Sequence, residues 1–150
     1  MSDLSELLKR VEAATGPDRE LDAHLAVIAG LNMCFCDYEA GSYHGDCPPP
    51  GCGEPLGLHD ERHSYPVQWQ DDERLPAYTA SIDAALALVE KVLPGWRRQI
   101  FEDRSGGWTA RLVSPSSDVV STDELKPPPT ASLAILAALL RAKIAAESTP

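Results

Sequence analysis

The chain is predicted to fold as an α+β protein, a small and mostly antiparallel sheet with helices packed on it. Three observations carry this. Apolar residues recur at helical spacing near both ends and between residues 82 and 93. Two short segments of strand type flank Ser105-Gly106-Gly107, a hairpin signal. The length of 150 residues suits one domain, because a second core would leave both halves small.

In the first segment Leu4, Leu7, Leu8 and Val11 share a helical face, and Asp3 with Glu6 has the spacing of a capping box. This helix stops near Ala14-Thr15-Gly16. Pro17 then suits the first position of a second helix carrying Leu21, Leu25 and Ile28, which makes a helical hairpin ending around Gly30. Residues 31–74 form a long insert in which prolines and glycines such as Pro48, Pro49, Pro50, Gly51 and Gly53 forbid a regular element. At its end, Tyr65 to Gln70 alternates as a short strand, placed at an edge by Pro66.

Thr79 or Ser81 is positioned to cap a helix from Ile82 to Leu93, with Ile82, Ala85, Leu86, Val89 and Leu93 toward a core, before Pro94-Gly95 ends it. Strands are expected at Gln99 to Asp103 and Trp108 to Val113. Residues 114–129 read as a polar, proline-rich linker, and a last helix runs from about Thr130 to Ala146. Its residues Leu133, Ile135, Leu136, Leu139, Leu140 and Ile144 cover more than one face, which implies deep burial or a subunit contact that would build a homo-oligomer through this helix. There is no internal repeat.

The net charge of -10 argues against duplex nucleic acid, whose binding needs clustered Lys and Arg to replace counterions. A small anionic ligand stays compatible, since a few local donors suffice for one nucleotide. The start, Met1-Ser2-Asp3-Leu4, lacks the basic and apolar stretches of a signal peptide, and the apolar run near Leu133 to Leu140 ends at Arg141. A cytoplasmic protein with no membrane partner is expected. Thiols stay reduced there, which favours metal ligands or free thiols over disulfides.

The unusual chemistry lies in the insert. Cys34, Cys36, Cys47 and Cys52 form two close thiol pairs with His44, His59 and His63 nearby, a donor set able to hold tetrahedral zinc. A structural zinc would offset the entropy of ordering a segment too polar to bury a core, while unligated thiols or a disulfide are the alternatives. His59-Asp60-Glu61-Arg62-His63 sets two histidines at i and i+4 but is not H-E-x-x-H, and a solvated polar turn is the preferred reading of it. No phosphate-loop, nucleophile-elbow or dinucleotide motif occurs. Arg97, Arg98, Arg104 and Arg111 surround the hairpin and are candidates for an anion, or else balance carboxylates such as Glu102 and Asp103. Trp96 and Trp108, with Trp69 and Tyr78, are candidates to stack a base or to close the core.

Read together, Leu7 to Ala23, Tyr78 to Ala85 with Leu93-Pro94-Gly95-Trp96, and Thr130 to Ala142 resemble the small bacteriophage and prophage proteins of the phage ABA sandwich domain family. The resemblance implies an α/β/α sandwich and a phage or prophage source acting in a bacterial host cell. It supplies no catalytic residue, and the cysteines lie outside the matching stretches. The function expected first is a non-enzymatic accessory protein that binds a host partner or sequesters a nucleotide-type immune signal. A zinc-dependent hydrolase using the Cys/His loop and a protein-interaction or virion-associated module are the alternatives.

Overall fold

The computed structural model describes residues 4–29, 33–34, 57–58, 75–122 and 127–148. The chain divides into two compact units. One comprises Arg19–Pro76 together with Met1, the other Ser2–Asp18 with Ala77–Pro150.

In the discontinuous unit the core is built around its last helix. Helix α1, Leu4–Ala13, buries Leu7 and Val11. Helix α3, Ile82–Val92, starts at Ser81, whose side chain accepts from the Ala84 N–H at 3.2 Å. Thr79, the other candidate cap, instead bonds the Asp18 backbone: the Asp18 N–H donates to Thr79 Oγ1 at 2.8 Å and the hydroxyl donates back to the Asp18 carbonyl at 3.2 Å. Ala85, Leu88 and Val89 form the buried stripe of α3. Ile82 was expected in that stripe but is 43% exposed, because with Leu86 it falls at the stripe's edge, on the first turn.

Strand β3, Arg97–Glu102, pairs antiparallel with β4, Trp108–Val113. A third strand, β5 at Val119–Ser121, pairs with β4 and completes a sheet of order β3-β4-β5. Residues 114–129 are therefore more than the linker expected from sequence. Three residues are too few to show a period, and Pro115, Ser116 and Ser117 obscured them.

Helix α4, Ala131–Ser148, opens with Thr130 Oγ1 accepting from the Leu133 N–H at 3.2 Å. Every residue from Ala131 to Leu140 is buried, and so is Ala142. The sheet covers one side of the helix, and α1 and α3 cover others. Burial inside the chain thus accounts for the wide apolar surface, which leaves those side chains no area to offer a second copy. Truncating a leucine at such a site typically removes about 2–5 kcal/mol of stability. Among the described residues, no helix is long and apolar enough to cross a membrane.

In the other unit, helix α2, Arg19–Ile28, buries Leu21, Asp22, Ala23, Leu25 and Ala26. It begins two residues later than Pro17 suggested, after Asp18, whose backbone N–H and carbonyl both bond the Thr79 hydroxyl. Arg19 bonds the buried Asp22 at 2.9 Å and the carbonyls of Leu75 at 3.0 Å and Pro76 at 3.4 Å, which ties the two ends of this unit together. Within the insert, β1 at Met33–Cys34 pairs antiparallel with β2 at Gly57–Leu58. The strand expected at Tyr65 to Gln70 lies outside the described residues.

Candidate ligand-binding face

Alternation in the sheet sorts its side chains onto two faces. The buried Ala110 and Leu112 mark the inner face, and the register adds Arg98, Ile100 and Val120 to it. The outer face then carries Arg97, Gln99 and Phe101 from β3, Thr109, Arg111 and Val113 from β4, and Val119 and Ser121 from β5. Two of the large apolar side chains left exposed in the molecule lie here, Phe101 at 46% and Val119 at 57%. The Arg111 guanidinium sits 5.7 Å from the Phe101 ring centroid, a cation–π pair worth about 0.5–1 kcal/mol at an exposed site. Among the described residues the register places two cations, Arg97 and Arg111, on this face, in a chain whose net charge is -10. An anion with a planar or apolar part matches such a surface, through guanidinium hydrogen bonds and stacking on Phe101.

The four arginines singled out from sequence do not converge. Arg97 and Arg111 share the outer face. Arg98 lies on the inner face and bonds Glu90 at 3.1 Å and the Leu86 carbonyl at 3.5 Å, lining a shallow groove of about 360 Å³ with Leu86, Ala87, Glu90 and Ile100. It does balance a carboxylate, but that carboxylate is Glu90 rather than Glu102 or Asp103. Arg104 is exposed in the turn after β3, while Arg97 opens the strand; at ~3.3 Å per residue they stand more than about 15 Å apart. Neither has an ion-pair partner among the described residues.

Of the aromatics, Tyr78 is buried and closes the core. Trp96 and Trp108 are half-buried at strand starts, their backbone N–H groups donating to the Leu93 carbonyl at 3.3 Å and the Pro128 carbonyl at 3.0 Å. Trp108 shares the inner register with Glu102. Among the described residues, Phe101 is the aromatic that reaches the open face, and sequence reasoning did not select it. The alternation Arg97-Gln99-Phe101 was the signal.

Asp103 organises the turn beside this face. Its Oδ1 accepts from the Ser105 hydroxyl at 2.6 Å, the Ser105 N–H at 2.8 Å and the Gly107 N–H at 3.0 Å. The Ser105 hydroxyl foremost, then the backbone donors, hold its carboxyl below the ordinary 3.8.

Of the metal-ligand candidates, Cys34 is placed by its backbone in β1, opposite Gly57. Cys36, His44, Cys47, Cys52, His59 and His63 lie outside the described residues, as does Trp69. Among the described residues, no cluster of three His, Cys, Asp or Glu side chains is placed to hold a metal. No family model, curated protein or solved structure matches the chain.

Proposed function

We propose that the chain is a bacteriophage or prophage accessory protein that works in the cytoplasm of a bacterial host by binding a small anionic ligand of nucleotide class, rather than by catalysis. The phage setting rests on the sequence resemblance. The observation that carries the ligand class is the outer sheet face, where the register sets Arg97, Arg111 and the exposed Phe101 on one side of the sheet. The guanidinium groups suit phosphate and the ring suits a base, while the net charge of -10 opposes a long polyphosphate. Sequestering a host immune signal of cyclic-nucleotide or ADP-ribose type is the role that fits this chemistry. Isothermal titration against a panel of such nucleotides is expected to find a binder whose affinity falls at least about tenfold in Phe101→Ala and Arg97→Gln, the loss of one stacking or charged contact. Absence of binding to every member sinks the reading.

A structural zinc in the Cys/His segment is a second element of this proposal. The antiparallel pairing of Met33 with Leu58 and Cys34 with Gly57 supports it, since it fixes the backbone of Cys34, the first cysteine in the sequence, against Gly57, which follows the last cysteine, Cys52, in the sequence. Backbone closure has already met part of the entropy that a metal must overcome. Elemental analysis of the purified chain should find about one zinc per chain, the stoichiometry of one four-ligand site. A folded, metal-free protein removes the site.

A further inference from the structure

Strand β3 is an edge, because the sheet order is β3-β4-β5. The Asp103 N–H donates to the Gly107 carbonyl at 2.8 Å, and in an antiparallel ladder backbone bonding alternates. Arg97, Gln99 and Phe101 therefore turn their backbone groups to β4, opposite Val113, Arg111 and Thr109. Arg98, Ile100 and Glu102 direct theirs to the open side. The strand's side chains are exposed except for the half-buried Ile100, and among the described residues no other strand lies there. A six-residue edge of this kind is a template for another strand.

The residues along that edge are self-complementary. Arg97-Arg98-Gln99-Ile100-Phe101-Glu102-Asp103 runs from two cations to two anions about a central isoleucine. Laid antiparallel on a second copy with Ile100 opposite the partner's Ile100, Arg98 faces the partner's Glu102, Arg97 faces the partner's Asp103, and Gln99 faces the partner's Phe101. Two-fold symmetry makes each pairing occur twice. The same register matches open donors to open acceptors, since Arg98, Ile100 and Glu102 are the residues whose backbone groups face out. Sliding by two residues one way sets Arg98 against the partner's Arg104, and the other way leaves no ion pair. Arg98 keeps a 34% exposed side chain while bonding Glu90, and its five donors accommodate a second carboxylate.

We propose that the β3 edge is a homodimer interface, in which two copies join their sheets by antiparallel β3–β3 pairing centred on Ile100. The six-stranded sheet so formed carries both outer faces side by side, with two sets of Arg97, Phe101 and Arg111. The interface does not depend on any ligand.

Sedimentation velocity on the full chain across a concentration series, at low and high salt, tests it. The wild-type chain is expected to move from monomer to dimer with concentration, and more weakly at high salt because the ion pairs are exposed. Glu102→Arg opposes Arg98 with a like charge twice and should weaken dimerisation about tenfold. Adding Arg98→Glu should restore it. Ile100→Pro removes an N–H that faces the open edge, not one bonded to β4, and should abolish the dimer; circular dichroism establishes that each variant is folded. A wild-type chain that stays monomeric throughout at low salt, or a dimer unmoved by Glu102→Arg, overturns the proposal. Failure of the paired reversal to recover the dimer overturns the register.

Discussion

The two turns of the sheet have one geometry built from different residues. In the β3–β4 turn, Asp103 pairs with Gly107 at 2.8 Å and Gly106 donates to the Asp103 carbonyl at 3.1 Å. In the β4–β5 turn, Ser114 pairs with Asp118 at 2.8 Å and Ser117 donates to the Ser114 carbonyl at 2.9 Å. Each is a three-residue loop whose third residue is left-handed, Gly106 at φ 85° and Ser117 at φ 72°. Each is also held by a side chain from its first flanking position. Asp103 Oδ1 accepts from the Gly107 N–H, and Ser114 Oγ accepts from the Asp118 N–H at 2.9 Å. The first turn uses a residue for which positive φ is free. The second places a serine there, at a cost of about 1 kcal/mol, so its geometry is imposed by strand pairing rather than by local preference.

The largest effect separating the turns is expected at Gly107. A Cβ added there would meet the Pro127 Cβ well inside contact distance, whereas the matching position in the second turn is the exposed Asp118. Gly107→Ala should cost about 2 kcal/mol, read as a lowered midpoint in urea unfolding. Asp118→Ala should stay within about 0.5 kcal/mol of wild type. An equal cost at both positions would show that Pro127 yields freely.

At the left-handed position the sign should reverse between turns. Gly106→Ala is expected to destabilise by about 1 kcal/mol. Ser117→Gly relieves the strain but adds freedom to the unfolded chain, and so should stabilise by about 0.5 kcal/mol. Thermal melts of the two variants side by side measure this. A destabilising Ser117→Gly would mean that the serine side chain holds more than its backbone loses.

The smallest difference is one of pH. The Asp103 carboxyl titrates below its ordinary 3.8 in the folded chain, so its contribution is present above that value. Protonation removes it as pH falls through the folded value. Denaturation midpoints of wild type and Asp103→Asn should therefore converge as pH is lowered below about 4, the ordinary carboxylate range. A gap that stays constant with pH would assign the turn to backbone bonds alone.

What was readable followed from local physics. Helices α1, α3 and α4 announced themselves by apolar spacing, α3 also by Ser81 as one of two candidate caps, and the first hairpin by its glycines. The second hairpin was missed because Ser117 is an atypical left-handed residue and β5 has three residues. The β1–β2 pairing was missed because two residues carry no period. In the candidate site, Arg97 and Arg111 were found by charge. Their sharing of one face, and the removal of Arg98 to the other, required the register of β3 on β4.

The sequence by itself determined an α+β chain with an amphipathic helix near its start and a broadly apolar one near its end, a glycine-turned hairpin and a cysteine-rich insert, because periodicity, caps and turn chemistry act over a few residues. Tertiary structure alone decided that α4 spends its apolar surface inside the chain, and that the sheet has a third strand. It also decided which arginines meet. Those outcomes depend on contacts between residues far apart in sequence, such as Ala110 with Thr122 and Arg141 with Glu12. Local sequence does not encode such contacts, since the same side chain on either sheet face obeys the same local rules.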